Sequence, residues 1–333
     1  MRELSGEEAR IEWIRARMGH LVPPASVQIL QGIGDDTAVV RLGERLLLLT
    51  VDMLVEGIHF RLDWIDAYHL GWKALAVNLS DIGSMGGQPA LALLSLAMPE
   101  RLSEGAESEV WLSAFAEGFR DCAQAYQTAL IGGDTNRSDK VVVDVMVMGT
   151  VEGEPVLRSG ARVGDWILVT GALGGSRAGL MRLTRGERHD TEALEAHFKP
   201  VPRVWEGQIL RREGVHAMMD VSDGLAADLP KLLRASGVGA VVYPHRVPVH
   251  PAASRYAETV GEEPARFALK GGEDYELLVC ADPQTAQRLI QQLPAETGTP
   301  LTWIGVVEAG DALWLEDGAG NRTPFDLQGW SHF

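Results

Sequence analysis

Hydrophobic residues form short continuous runs along this chain, and several runs follow one another without an intervening helix. The run Leu46 to Val51 predicts a strand covered on both faces, and Ala90 to Ala97 predicts a second strand. Helical spacing of apolar residues predicts helices over Asp66 to Asp81 and about Glu104 to Tyr126. The pattern therefore favours an α/β (α+β) fold with mixed or antiparallel sheets and helices packed on one face.

A charged connection at residues 152–165 separates two sets of predicted elements. Before it, the pattern predicts a helix at 6–18 and strands at 37–41, up to 131, and at 141–151. After it, the pattern predicts helices near 176–185, 203–212 and 226–236, and strands at 166–170, 217–221, 240–243, 275–281 and 301–307. The predicted domains are therefore residues 1–151 and 152–333. Short acidic matches recur in both halves, which either duplication or chance explains.

Composition restricts the function more than the fold. The formal net charge of -16 argues against a bare nucleic-acid binder, whose phosphate contacts need Lys and Arg. Cys122 and Cys280 offer no disulfide framework or zinc site, so two buried thiols in a reducing compartment are expected. The N-terminus has no apolar signal core, and no apolar run is long enough to span a bilayer. We therefore expect a cytoplasmic protein without nucleic-acid or membrane partners.

Acidic residues recur at the ends of apolar runs or beside glycines. Six motifs share this placement: Gly34-Asp35-Asp36, Thr50-Val51-Asp52, Leu79-Ser80-Asp81, Gly132-Gly133-Asp134-Thr135, Asp220-Val221-Ser222-Asp223-Gly224 and Gly271-Gly272-Glu273-Asp274. Each motif alone is an ordinary turn sequence. Together the six motifs favour carboxylates at strand ends, where α/β folds bind their ligands. Carboxylate oxygens suit Mg²⁺, which also binds phosphates. The set therefore predicts an enzyme that transfers a phosphoryl group from a nucleotide.

Asp81 is the most informative acidic residue. It falls in the last turn of a predicted helix, where the helix dipole disfavours an anion unless a cation is bound or the carboxylate is solvated. His59 follows Asp52 in an apolar loop, and either substrate contact or a structural role is open. Arg158 either reaches a phosphate or is a solvated charge of the connection. The segment 171–176 either binds an anion at a helix N-terminus or is only a tight turn. No P-loop, dinucleotide-binding or protein-kinase motif is present.

The acidic motifs, with His59, Arg158-Ser159-Gly160 and the ending at residues 329–333, resemble bacterial thiamine-monophosphate kinases from about Gly32 to Phe333. The resemblance implies the two-domain fold shared with aminoimidazole ribonucleotide synthetase and selenophosphate synthetase. It also implies a homodimer formed through the N-terminal domains, with the nucleotide between the two domains of a chain. The implied reaction uses ATP and several Mg²⁺ ions to convert thiamine monophosphate into thiamine diphosphate.

The resemblance also implies roles for individual positions. The metal ligands would be Asp36, Thr50, Asp52, Asp81, Asp134, Asp220 and Asp223. The residues that contact ATP would be Gly133, Asp134, Arg158 and Ser222. The residues that contact the thiamine moiety or its phosphate would be His59, Glu273 and Trp330. Ser80 receives no role. The family often has Ser-Thr-Asp where this chain has Thr50-Val51-Asp52, so the hydroxyl group next to Asp52 is lost at Val51. Thr50 is expected on the same face of the strand as Asp52.

The acceptor would be a phosphate oxygen that is ionised near neutral pH, since the second pKa of a phosphate is about 6. No general base is then required, and direct in-line transfer is expected. Three other functions stay open: a related ATP-using synthetase, a nucleotide or metal-ion sensor, and an acidic calcium-binding protein. The absence of an EF-hand loop counts against the last, and the first cysteine, Cys122, lies too late for a selenophosphate synthetase.

Overall fold

Two β-sheets organise the protein, and a computed structural model describes residues 6–19, 21–102 and 105–330. The first sheet has the order β1-β2-β3-β6-β4-β5, with bounds β1 Val27–Gln31, β2 Ala38–Leu42, β3 Arg45–Val55, β4 Gln88–Met98, β5 Ala129–Arg137 and β6 Val142–Val151. The second has the order β13-β12-β9-β11-β7-β10-β8, with bounds β7 Trp166–Thr170, β8 Ala217–Asp220, β9 Gly239–Val242, β10 Leu277–Ala281, β11 Leu301–Glu308, β12 Leu313–Glu316 and β13 Arg322–Pro324. Only β4–β5 and β9–β12 pair in parallel among the described strands, which confirms the predicted mixed sheets.

Ten α-helices surround these sheets within the described residues. Their bounds are α1 Glu7–Met18, α2 Ala67–Ser84, α3 Ala106–Ala125, α4 Gly175–Thr184, α5 Thr191–Phe198, α6 Val204–Arg212, α7 Leu225–Ser236, α8 Pro251–Val260, α9 Pro264–Leu269 and α10 Pro283–Thr297. The sequence pattern missed α5 and α8 to α10, although Asp282 caps α10 and Pro283 occupies its first turn. In the part of the chain that the structure describes, no helix is long and apolar enough to cross a membrane.

The helices cover the two sheets differently. In the first sheet, alternate residues such as Val143 and Val145 are buried against α2 and α3, whereas Val51 on the other face is 59% exposed. The prediction that residues 46–51 form a strand covered on both faces is therefore wrong for this chain. An antiparallel sheet commonly packs one face against the core and leaves the other face open. In the second sheet helices lie on both faces: Leu278 packs with α7, and Val279 packs with α10. The predicted one-sided packing thus holds for the first sheet alone.

Helix α2 lies between the two domains. Most of its residues are buried, and Asp66 caps its first turn by accepting a hydrogen bond from the amide of His69. The indole of Trp72 donates to the carbonyl of Pro200 at 2.8 Å. Both faces of this helix therefore pack against protein, so side chains along it reach either domain. Cys122 and Cys280 are free and buried, as predicted.

Candidate active site

Three carboxylates from the two domains meet near the C-terminal end of α2. One oxygen each of Asp36, Asp81 and Asp220 lies within 4.8 Å of the other two. Asp81 belongs to the last turn of α2, Asp36 precedes β2, and Asp220 ends β8. Asp36 and Asp220 are buried, and Asp81 is half-buried. This three-carboxylate group forms only because the domains pack against each other.

Hydroxyl groups orient all three carboxylates. The pairs are Ser84 Oγ donating to Asp36 at 2.6 Å, Ser80 Oγ donating to Asp220 at 2.6 Å, and Thr50 Oγ1 donating to Asp81 at 2.5 Å. Ser80 and Ser84 are one helical turn apart, so α2 presents them on one side. Sequence reasoning gave Ser80 no role and missed Ser84. The signal was their four-residue spacing around Asp81.

The group carries more negative charge than its surroundings compensate. Burial raises the pKa of Asp81 well above its ordinary value, and the charges of Asp52 and Asp220 add to the effect. Burial and the charge of Asp36 likewise raise the pKa of Asp220. A buried set of oxygen ligands that repel one another is the arrangement that a hard divalent cation stabilises. The donor set therefore fits Mg²⁺.

The guanidinium of Arg158 contacts the Asp36 carboxylate directly. Its Nε donates to Asp36 Oδ1 at 2.9 Å, its Nη2 donates to the same oxygen, and its amide donates to Asp35 at 3.2 Å. Burial alone would lower the pKa of Arg158, but Asp36 and Asp35 raise it. Burial also raises the pKa of Asp35 to about 6. Arg158 is thus a half-buried partner of the acidic group and not a solvated linker charge.

The other predicted metal ligands occupy different surroundings. Thr50 and Asp52 lie on the side of Asp81, whereas Val51 points to the exposed face of the sheet, because strand residues alternate between faces. The missing hydroxyl at position 51 therefore does not change the side chains around the three-carboxylate group. Asp134 is exposed on β5 opposite Ser95 and lies outside that group.

Asp223 lies on the loop after β8, where it meets a lysine. The Nζ of Lys231 is 2.6 Å from its carboxylate and 2.9 Å from that of Asp228. The amide of Asp223 also donates to Asp228 at 2.9 Å. Burial raises the pKa of Asp228 to about 6, although Lys231 opposes this. A metal role for Asp223 stays a prediction, and it requires Lys231 to share the carboxylate.

Three segments that carry predicted nucleotide and substrate residues are bound to one another through their backbones. The amide of Glu273 donates to the carbonyl of Ser222 at 2.6 Å, and the amide of Trp330 donates to the carbonyl of Asp223 at 2.9 Å. Ser222, Glu273 and Trp330 therefore lie at one place. His59 accepts a hydrogen bond from the amide of Val55 on Nδ1 at 3.0 Å, so a neutral ring carries its proton on Nε2. Residues 331–333 lie outside the described part.

The turn at 171–176 holds a carboxylate of this chain. Asp274 accepts hydrogen bonds from the amide of Gly174 at 2.6 Å and from that of Ser176 at 3.2 Å, at the N-terminus of α4. Burial raises the pKa of Asp274 to about 8, although both amide donors oppose the shift. The sequence left open whether this turn cradles an anion or is only a tight turn, and in the structure its amides bind a carboxyl group of the chain itself. The same contact fixes the 271–275 loop against α4.

Comparisons with known proteins cover both domains. Models of the AIR synthase related protein family match at residues 34–151 for the N-terminal domain and 162–317 for the C-terminal domain. The chain is 37% identical over 327 residues to the thiamine-monophosphate kinase of Escherichia coli strain K12, covering 96% of each protein. It is 35% identical over 308 residues to that of Aquifex aeolicus strain VF5, covering 90% of this chain and 92% of the other. The solved structure of AaThiL complexed with AMPPCP and TMP has a TM-score of 0.84 and 33% identity, and covers 100% of this chain and 98% of that chain.

Proposed function

Because this chain belongs to the thiamine-monophosphate kinase family of AIR synthase related proteins, we propose that it transfers a phosphoryl group from ATP to thiamine monophosphate. The products are ADP and thiamine diphosphate, so the reaction is a step of thiamine diphosphate biosynthesis. The single observation that carries the proposal is the three-carboxylate group, to which both domains contribute. Such a group suits chemistry in which two anionic phosphates must approach each other.

The acidic residues would hold Mg²⁺. Asp36, Asp81 and Asp220 are the core of the proposed site, and the further proposed ligands are Thr50, Asp52, Asp134 and Asp223. The raised pKa values of Asp81 and Asp220 support this assignment, since burial and then the neighbouring carboxylates raise them, and a bound cation would stabilise the ionised forms. Mg²⁺, when bound, supplies positive charge that offsets the phosphates and aligns them.

The residues proposed to contact ATP are Gly133, Asp134, Arg158 and Ser222. Arg158 is already held beside the acidic group, so its guanidinium lies near any phosphate that approaches that group. A guanidinium can bind two phosphate oxygens with fixed geometry. We therefore propose that the Arg158 guanidinium releases Asp36 and binds a phosphate of the nucleotide.

The proposed acceptor site consists of His59, Glu273 and Trp330. The Trp330 side chain is 49% exposed and offers a flat apolar surface to an aromatic ring. The Glu273 carboxylate suits a cationic ring such as thiazolium. The acceptor phosphate needs no general base because it is ionised near neutral pH. The transfer is then direct and in-line, and trapping a phosphoenzyme during turnover would contradict it.

The assembly and location belong to the same proposal. We place the domain boundary between residues 151 and 152, where β6 ends. The homodimer would form through the exposed apolar face of the first sheet, which carries Val51, Met53 and Leu93. Two free, buried cysteines suit a reducing compartment, which supports a cytoplasmic location.

One assay tests the function. ADP release would be measured with Mg²⁺ and ATP in the presence of thiamine monophosphate, thiamine or an aminoimidazole ribonucleotide precursor. We expect stimulation by thiamine monophosphate alone, with thiamine diphosphate formed in equal amount. Stimulation by the aminoimidazole compound would indicate a related synthetase. Binding of Mg-ATP with no product in any mixture would indicate a sensor, and either outcome would overturn the kinase assignment.

A further inference from the structure

Lys73 is a buried cation that no step of the reaction has used. It lies on α2 and is 1% exposed. Its Nζ is 2.8 Å from Oε1 of Glu273 and donates to the carbonyl of His197 at 3.2 Å. Both partners belong to the C-terminal domain. A buried ammonium group is costly unless it is paired and hydrogen-bonded, so this arrangement joins the domains at one carboxylate.

Glu273 is held from several directions. Its backbone has a φ of 62°, a left-handed conformation that is uncommon for a side-chain-bearing residue. Its amide donates to Ser222, and its Oε2 lies 3.3 Å from Nδ1 of His197. The side chain remains 25% exposed, so Glu273 is partly open to a ligand. Lys73 therefore holds one carboxylate oxygen of a side chain that stays partly exposed.

The charges around Glu273 favour its ionised form. Burial alone would raise the pKa of Glu273, but the charge of Lys73 lowers it below its ordinary value. His197 itself is neutral near pH 7, because burial and Lys73 lower its pKa to about 3. Among the described residues, Lys73 is thus the ammonium group that directly contacts this carboxylate.

We propose that Lys73 is a positioning residue for the acceptor substrate, because it holds the Glu273 carboxylate in the orientation that meets the cationic part of that substrate. This inference rests on the proposed function, in which Glu273 contacts the thiamine moiety. Lys73 touches no reacting atom and acts through Glu273. Its position on α2, eight residues before Asp81, gives the acceptor site and the acidic group a common rigid support.

A double-mutant cycle tests this role through the variants Lys73→Met, Glu273→Gln and their combination. We expect Lys73→Met to raise KM for thiamine monophosphate about tenfold or more and to leave KM for ATP within about twofold. Lys73→Arg, which keeps the charge, should recover part of that loss. In the Glu273→Gln background, Lys73→Met should leave KM for thiamine monophosphate unchanged, since the carboxylate on which it acts is gone.

The combined variant keeps the test decisive if Lys73→Met alone does not fold, because it leaves no unpaired buried charge. Additive effects of the two substitutions on KM, an equal rise in KM for both substrates, or an unchanged KM in folded Lys73→Met would each overturn the positioning role. The wild-type protein separates this question from the function. If it lacks ADP release dependent on thiamine monophosphate, the function and the role fail together, whereas an active wild type with additive variants refutes Lys73 alone.

Discussion

Within β3, the alternation of side chains decides which residues meet the acidic group. Thr50 donates to Asp81, while Val51 lies on the exposed face. The departure from the family pattern at Val51 therefore changes the open face and not the three-carboxylate group. Spacing of two residues along a strand predicted that Thr50 and Asp52 share a face. It could not predict that a helix would bring Asp81 against them.

Replacing Asp81 with Asn tests the acidic group at one residue. We expect activity to fall roughly 100-fold or more, because one proposed metal ligand loses its charge. The free energy of unfolding without metal should stay the same or rise, because a buried like charge is removed. Mg²⁺-dependent ADP release and urea unfolding measure the two effects. Asp311→Asn, at an exposed position, is the control, and full activity of Asp81→Asn would refute the metal role.

His197 predicts how acid affects stability. Burial lowers its folded-state pKa to about 3 from 6.5, so the unfolded chain binds a proton that the folded chain does not. The free energy of unfolding should therefore fall as pH decreases below about 6.5, with a limiting slope of ~1.4 kcal/mol per pH unit from this group. Above that pH both states are neutral and the contribution is constant.

Urea unfolding at pH 7, 6 and 5 measures this effect. The variant His197→Asn should lose less stability than the wild type over the same interval, because it has no imidazole to protonate. The variant His245→Asn, at an exposed position, should follow the wild type. Identical slopes for wild type and His197→Asn would show that another group controls the acid response.

Single elements carry groups of functional side chains. Helix α2 supplies Ser80, Asp81 and Ser84 at the acidic group and directs Lys73 to Glu273 of the proposed acceptor site, because residues three and four apart share a side. Strand β5 contributes Gly133 and Asp134 at the edge of the first sheet. Its backbone passes close to β4, and a Cβ added to Gly133 would lie 1.7 Å from the carbonyl oxygen of Leu94.

Gly133→Ala should therefore disturb β5 strongly. The φ of 152° and the collision with Leu94 both destabilise the alanine variant. Its loss in free energy of unfolding should therefore exceed that of Gly310→Ala by about 2 kcal/mol or more. Gly310 also has positive φ, but nothing lies within 4 Å of its added Cβ. Thermal and urea unfolding of both variants measure the difference. Equal losses would mean that backbone conformation alone requires Gly133.

At the scale of the whole molecule, the open face of the first sheet carries exposed apolar side chains. Val51, Met146 and Leu93 lie in one row across β3, β6 and β4. Val51 and Leu93 are exposed in the single chain. Apolar residues in such a continuous row are typical of an interaction surface, and in the proposed homodimer a second copy of the chain would supply the matching one.

The variant Val51→Glu tests the proposed homodimer. We expect the wild type to sediment as a dimer and the variant to dissociate at least about tenfold more readily, because a charge would be buried against apolar side chains. Val163→Glu is the matched control, since Val163 is similarly exposed but lies on the connection between the domains. A monomeric wild type, or equal dissociation of both variants, would exclude this face as the dimer interface.

The sequence by itself determined the two α/β domains, most of their strands, the identity of the acidic residues and the family. The elements are local, so apolar periodicity reveals them, whereas the family followed from the resemblance of the ordered acidic motifs. The apolar pattern missed helices α5 and α8 to α10, although a side chain caps the start of each: Asp190, His250, Glu263 and Asp282.

Only the tertiary structure decided which residues meet. Ser80 and Asp220 are 140 positions apart, and Arg158 and Asp36 are 122 apart. Lys73 reaches Glu273 from another domain. No local pattern encodes such contacts, because they depend on how the domains pack around α2. Periodicity assigned Lys73 and Asp81 to one helix, and packing alone gave each of them its partner in the other domain.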